Sequence, residues 1–250
     1  MNLEKRLNLL RENIRNSSAD VVEKLIQKNG DKDLCVFCGG KQDLTKEHVL
    51  PQWTFESKPN KHFVTTINGL SQDYIKTVVP ACSECNSNIL GALENKIKSS
   101  FEAVDLETVF FSNKEIGKII SWLEIIDFKF QVLNLRRTFL KHKEAEYIPY
   151  LSDIPLSLMQ NQASISLNEV RRKAMNSANR ISTQSKETKR NSLLLFKTKN
   201  PDFHFFHEMD DFIFLEFPRF DIAVFLFLEK EFDQHKQAHK EAMKIIEEAY

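Results

Sequence analysis

Apolar residues at helical spacing open the chain. Leu3, Leu7, Leu10 and Ile14 recur every three or four positions and predict an amphipathic helix. Ser17 or Ser18 offers an N-cap for a second helix carrying Val21, Val22, Leu25 and Ile26, with Asn29-Gly30 as its stop. After a polar stretch, Val49 and Leu50 suggest a short strand. Phe63 to Ile67, Asn68-Gly69 and Leu70 to Val79 read as a β-hairpin with a type I′ turn. Leu90, Leu93, Ile97 and Phe101 form one stripe of a further helix. Beyond residue 101 a helix is predicted over 114–124, with Ile116, Ile119, Ile120 and Leu123 inward, followed by an alternating strand from Phe128 to Leu135. Strands over Leu193 to Phe196, Phe212 to Phe217 and Ile222 to Leu228, then a helix from Glu229 to Ala249, complete the pattern. The fold class is α+β in three parts: a helical segment 1–30, a compact module 31–101, and a mixed α+β region 102–250.

Composition narrows the partners. The 250 residues include 35 basic and 35 acidic side chains, so a globally basic nucleic-acid sponge and an acidic tail protein are excluded. A hydrophobic share of 42% excludes a largely disordered chain. Neither GxGxxG nor GxxxxGK occurs, which argues against Rossmann and P-loop chemistry. No apolar run approaches the ~20 residues of a membrane span, and the charged start lacks a signal-peptide core, so no membrane partner and a cytoplasmic location are expected. Charge is nevertheless uneven: residues 168–200 carry net +7 and residues 201–250 net −7. Arg171, Arg172 and Lys173 in the basic stretch are candidates for phosphate contact, with Arg136 and Arg137 available to extend a basic face. Zero net charge also suits recruitment by a protein partner, or a homo-oligomer, through 102–250.

Four cysteines, Cys35, Cys38, Cys82 and Cys85, form two CxxC pairs with none left over. A reducing compartment disfavours disulfides. Two knuckles supply four soft ligands in a tetrahedron, which suits a structural Zn²⁺ with no open position. Between them stands Glu47-His48-Val49-Leu50-Pro51. Strand alternation sends the two leading side chains to opposite sides, so the carboxylate can reach a metal while the imidazole faces water. Asn86 follows Cys85 directly, where a zinc-fixed turn would hold it against the strand. Glu47 and Asn86 would give oxygen ligands to a hard ion such as Mg²⁺ or Mn²⁺.

CVFC, EHVLP and CSECN, in that order over residues 33–98, resemble the HNH endonuclease family with its ββα-metal fold and cysteine-ligated zinc. The resemblance implies metal-dependent hydrolysis of nucleic-acid phosphodiesters, with double-stranded DNA as the expected substrate, in a setting such as restriction or antiphage defence. It assigns His48 as general base, Glu47 as the acidic metal ligand and Asn86 as the last metal-binding position. Thr77 stands where the family usually has the asparagine that orients the base, and this departure keeps a second reading open: an inactive zinc module that binds nucleic acid or a protein. Around this frame, Lys46 and Lys76 flank the proposed site as phosphate contacts, and Trp53 is expected to pack on the zinc module. Glu94, two helical turns beyond Asn86, would orient the site or face solvent. His235 and His239 read as an exposed helix face, and His204 and His207 as part of a half-buried strand or turn.

Overall fold

Asn2 starts the first helix by accepting the Lys5 N–H at 3.0 Å. The computed structural model describes residues 2–27, 33–55, 62–64, 71–103, 111–140, 167–208 and 210–249. Helix α1 (Leu3–Ile26) is continuous, where the sequence predicts two helices. The serines expected to cap a second helix do not. Ser17 Oγ donates to the Asn13 carbonyl one turn back at 2.7 Å and to the Phe37 carbonyl at 3.1 Å, and Ser18 is buried. The hydroxyl therefore serves the running helix and the first cysteine knuckle. The Asn29-Gly30 stop lies outside the described residues.

Strands β1 (Leu44–His48) and β4 (Val78–Cys82) pair antiparallel, with Glu47 opposite Val79 and His48 opposite Val78. The strand near Val49 and Leu50 thus lies just before them. Val49 still donates its N–H to the Thr77 carbonyl at 3.0 Å before Pro51 leads into the short helix α2 (Gln52–Phe55). Strands β2 (His62–Val64) and β3 (Ser71–Asp73) form the hairpin, with Val64 opposite Ser71. A two-residue turn at Asn68-Gly69 would put Val64 opposite Asp73, so the register is shifted by two; the turn itself lies outside the described residues. Nor does the second hairpin strand run on to Val79. A 3₁₀ turn, Tyr74–Lys76, interrupts it and hands the chain to β4.

Cys82 ends β4, and a π-helical segment, Glu84–Leu90, runs directly into α3 (Gly91–Glu102). The sequence predicts two strands followed by a helix, with the strands taken from the 63–79 hairpin; the pair that leads into this helix is instead β1 and β4. The stripe Leu90, Leu93, Ile97 and Phe101 is buried as expected.

Helix α4 (Asn113–Leu140) replaces the predicted helix and strand. Asp127, Lys129 and Gln131 alternate with Phe128, Phe130 and Val132, which imitates a half-exposed strand. All six are buried: the polar members face internal partners, and the helix has no solvent face along this stretch. Helix α5 (Leu167–Ser182) packs on α1 and α4. Strands β5 (Leu193–Lys197), β6 (His204–Glu208), β7 (Phe212–Phe217) and β8 (Ile222–Phe227) form an antiparallel sheet in the order β5-β8-β7-β6, which includes the three strands predicted here. One face, with Leu193, Ile213, Leu215 and Val224, joins a core that reaches back to Leu7. The other, with Leu194, Phe214 and Phe225, packs on α6 (His235–Ala249), which starts six residues later than predicted. Trp53 packs against both Trp122 and Phe217, centroids 5.7 and 5.8 Å away, and so ties α2 to α4 and the sheet. No helix among the described residues is long and apolar enough to cross a membrane.

Part of the basic stretch points inward. Arg180 bonds Asp127 and Asp210, each at 2.7 Å, and Lys186 bonds the buried Glu124 at 2.5 Å. These residues neutralise Asp127 and Glu124 of α4 and Asp210 rather than forming an open phosphate-binding face.

Candidate functional site

The first knuckle closes because Gly39 takes a left-handed φ of 73°, which a side chain would oppose. Its N–H reaches the Cys35 carbonyl at 2.8 Å, and the Cys35 N–H reaches the Gly40 carbonyl at 2.7 Å. The Val36 N–H then bonds the Pro80 carbonyl at 3.0 Å, which lays the knuckle on β4 beside Cys82. The Ser83 N–H holds the Asp43 carbonyl at 3.0 Å on the other strand. As a result, the ligand atoms of Cys35, Cys38, Cys82 and Cys85 lie within 4.8 Å of one another, with Cys38 Sγ 3.7 Å from Cys82 Sγ. A tetrahedron with Zn–S bonds of about 2.3 Å has sulfur–sulfur edges of about 3.8 Å. The four residues therefore fit a metal ion such as zinc. Within the cluster, hydrogen bonds from Cys35 and Cys85 pull Cys38 down to about 3, while hydrogen bonds with Cys35 and Cys38, together with burial, push Cys85 up.

The helix that leaves this cluster carries Asn86 against β1. Its Nδ2 donates to Thr45 Oγ1 at 2.8 Å and lies 3.5 Å from the Lys46 carbonyl. Asn86 therefore sits one to two residues along β1 from Glu47-His48, in the neighbourhood the sequence predicts. The Gly91 N–H returns to the Asn86 carbonyl, which fixes the backbone of the π-helical segment.

Glu47 and His48 diverge as a strand requires. Glu47 is buried, with only 6% exposure, and its Oε1 accepts a hydrogen bond from Lys129 Nζ at 2.6 Å. Lys129 is wholly buried on α4, and the same ammonium donates to the His48 carbonyl at 2.8 Å and lies 3.6 Å from Glu94 Oε1. Glu94 rises to about 7 because burial penalises its charge; Lys129 opposes the rise and Glu47 adds to it. Glu94 thus faces the site, as one of its two sequence readings holds. Two carboxylates share one ammonium. A divalent ion on Glu47 would meet that buried positive charge at hydrogen-bond range, so Glu47 and Asn86 as arranged do not fit the hard-ion site expected of them.

His48 is half-buried on the other face of β1. Burial lowers its pKa, and the buried Lys129 adds to this against the opposing pull of Glu47 and of the Ile75 carbonyl, so the imidazole is neutral at pH 7. Gln52 Nε2 lies 3.2 Å from His48 Nε2. An amide nitrogen only donates, so Nε2 presents its lone pair and the ring proton sits on Nδ1, toward Ile75. The Thr77 hydroxyl donates to the Asp73 carbonyl at 2.8 Å, while its own carbonyl anchors Val49.

Lys46 is exposed on the same strand face as His48, and Lys76 is exposed and paired with Asp73 at 2.5 Å. Arg171 pairs with Glu23 of α1, and Arg172 is exposed beside it on α5 with Lys173 half-buried; among the described contacts, none of the three reaches Glu47, His48 or Asn86. His239 packs on Phe196 at 5.5 Å rather than pairing with His235 at a metal, and His207 bonds the buried Asp127 at 2.8 Å. Sequence reasoning misses Lys129, which the strand-like pattern disguises, and Gln52, whose signal is its place four residues after His48 at the start of α2. Comparison with protein-family models, with curated proteins and with solved structures finds no match.

Proposed function

We propose that the protein is an HNH-type phosphodiester hydrolase acting on nucleic acid, with double-stranded DNA as the first substrate to test, and that its four cysteines hold a closed, structural zinc. The observation that carries this reading is the half-buried, neutral His48, its Nε2 lone pair held by Gln52, on a strand that the cysteine cluster pins against Asn86. His48 accepts a proton from the attacking water at Nε2 when that water takes the place of the Gln52 amide there, while the Ile75 carbonyl holds the proton on Nδ1. Lys46, exposed on the same strand face, is the cation we assign to the phosphate. No step is assigned to a divalent ion on Glu47, because that carboxylate already carries an ammonium.

A second reading draws on that same ion pair: a zinc module that binds nucleic acid, or a protein partner, without cutting. Nicking of supercoiled plasmid by the zinc-loaded chain, with and without added Mg²⁺ or Mn²⁺ and with an RNA substrate in parallel, separates the two. The hydrolase reading expects cleavage that fades in His48→Ala. Retained binding with no cleavage of either nucleic acid selects the binding module.

A further inference from the structure

We infer that Lys129 is the resident cation of the Glu47–His48 site: its ammonium occupies the place at Glu47 that an exchangeable divalent ion would take, and it fixes the backbone of the histidine at the same time. The inference rests on the reading of His48 as the working residue, but its test does not require cleavage. A lysine that is fully buried in mid-helix is an expensive choice, and burial of an ammonium is tolerated only with close counter-charges. Lys129 has them at three points, Glu47 Oε1 at 2.6 Å, the His48 carbonyl at 2.8 Å and Glu94 Oε1 at 3.6 Å. All three are oxygens, and two are carboxylates on different elements, β1 and α3. That is the donor chemistry of a hard metal ion, filled here by a side chain of the same chain. Because one ammonium grips both members of the Glu-His pair, α4 sets where β1 ends and how His48 is presented. Lys129 is thus a positioning residue supplied from outside the cysteine module.

The test is Mn²⁺ binding to the full zinc-loaded chain, read by electron paramagnetic resonance. Wild type and Glu47→Gln should bind Mn²⁺ equally weakly. Lys129→Met, which keeps the length and removes the charge, should bind at least ten times more tightly, and Lys129→Met with Glu47→Gln should lose that gain. A manganese site in wild type that Glu47→Gln abolishes overturns the inference. So does a folded Lys129→Met chain that gains no site. Should Lys129→Met not fold, the comparison of wild type with Glu47→Gln decides alone. Absence of plasmid cleavage would count against the hydrolase reading and leave these results as they stand.

Discussion

Two places in this chain crowd groups that repel one another when charged, and they relieve the crowding in opposite ways. The cysteine cluster brings four sulfur donors within 4.8 Å of one another. The Glu47–Glu94 pair, on elements that leave the same cluster, encloses a lysine of its own. The first arrangement calls for an ion from solution; the second already contains its cation. The difference follows from ligand chemistry. Thiolates are soft donors and bind zinc far better than ammonium, whereas carboxylates accept hydrogen bonds from an ammonium readily. Stability should therefore depend on metal at one site and on a single α4 side chain at the other.

The largest expected effect comes from emptying the first site. Zinc removal by a strong chelator, or Cys85→Ser, should unfold the module, since structural zinc contributes on the order of 10 kcal/mol to such folds. Hydrogen exchange reads this as lost protection of the β1–β4 amides, with β5–β8 affected less. If chelation leaves β1–β4 protection unchanged, the contrast between the sites fails.

Next is the base. His48→Ala should slow plasmid nicking by about 10²–10⁴-fold while zinc content is unchanged. Because the His48 pKa lies below its ordinary value of 6.5, the wild-type rate should fall toward acid pH with its midpoint below 6.5. A rate that already falls between pH 8 and pH 7 would assign the titration to another group.

Breaking the second site should cost less than losing zinc. Lys129→Ala leaves Glu47 buried without its partner and should destabilise the fold by about 3–5 kcal/mol in denaturant melts. Lys129→Met, combined with Glu47→Gln, should recover part of that, because no charge is then stranded.

The smallest effect is at Glu94. Its raised pKa means the folded state holds its proton more tightly than the unfolded chain. The associated stability is full below about 4.5 and is lost as pH rises through about 7. Glu94→Gln should therefore be more stable than wild type at pH 8, by about 1–3 kcal/mol, and lose the advantage by pH 5. An advantage that is the same at both values would show that Glu94 does not titrate in this range.

The cysteine cluster and its helix were legible because their signals are local. CxxC spacing, a Gly-Gly knuckle and the stripe from Leu90 to Phe101 depend on near neighbours in sequence. The sheet strands of the last third were legible for the same reason, as runs rich in phenylalanine and β-branched residues. What failed depends on partners far along the chain. Helix α4 imitates a strand because Asp127, Lys129 and Gln131 are polar for internal reasons, and their partners include residues as distant as Glu47 and Arg180. The serines at 17 and 18 look like a cap because the Phe37 carbonyl that engages one of them lies twenty residues away. The Glu-His pair was found, but its counterion lies 82 residues further on, beyond the reach of any pattern.

Native mass spectrometry of the chain equilibrated with zinc and excess manganese tests the contrast most directly. One zinc per chain and no manganese is the predicted composition. A chain that carries a manganese ion besides its zinc, or that carries no zinc at all, contradicts it.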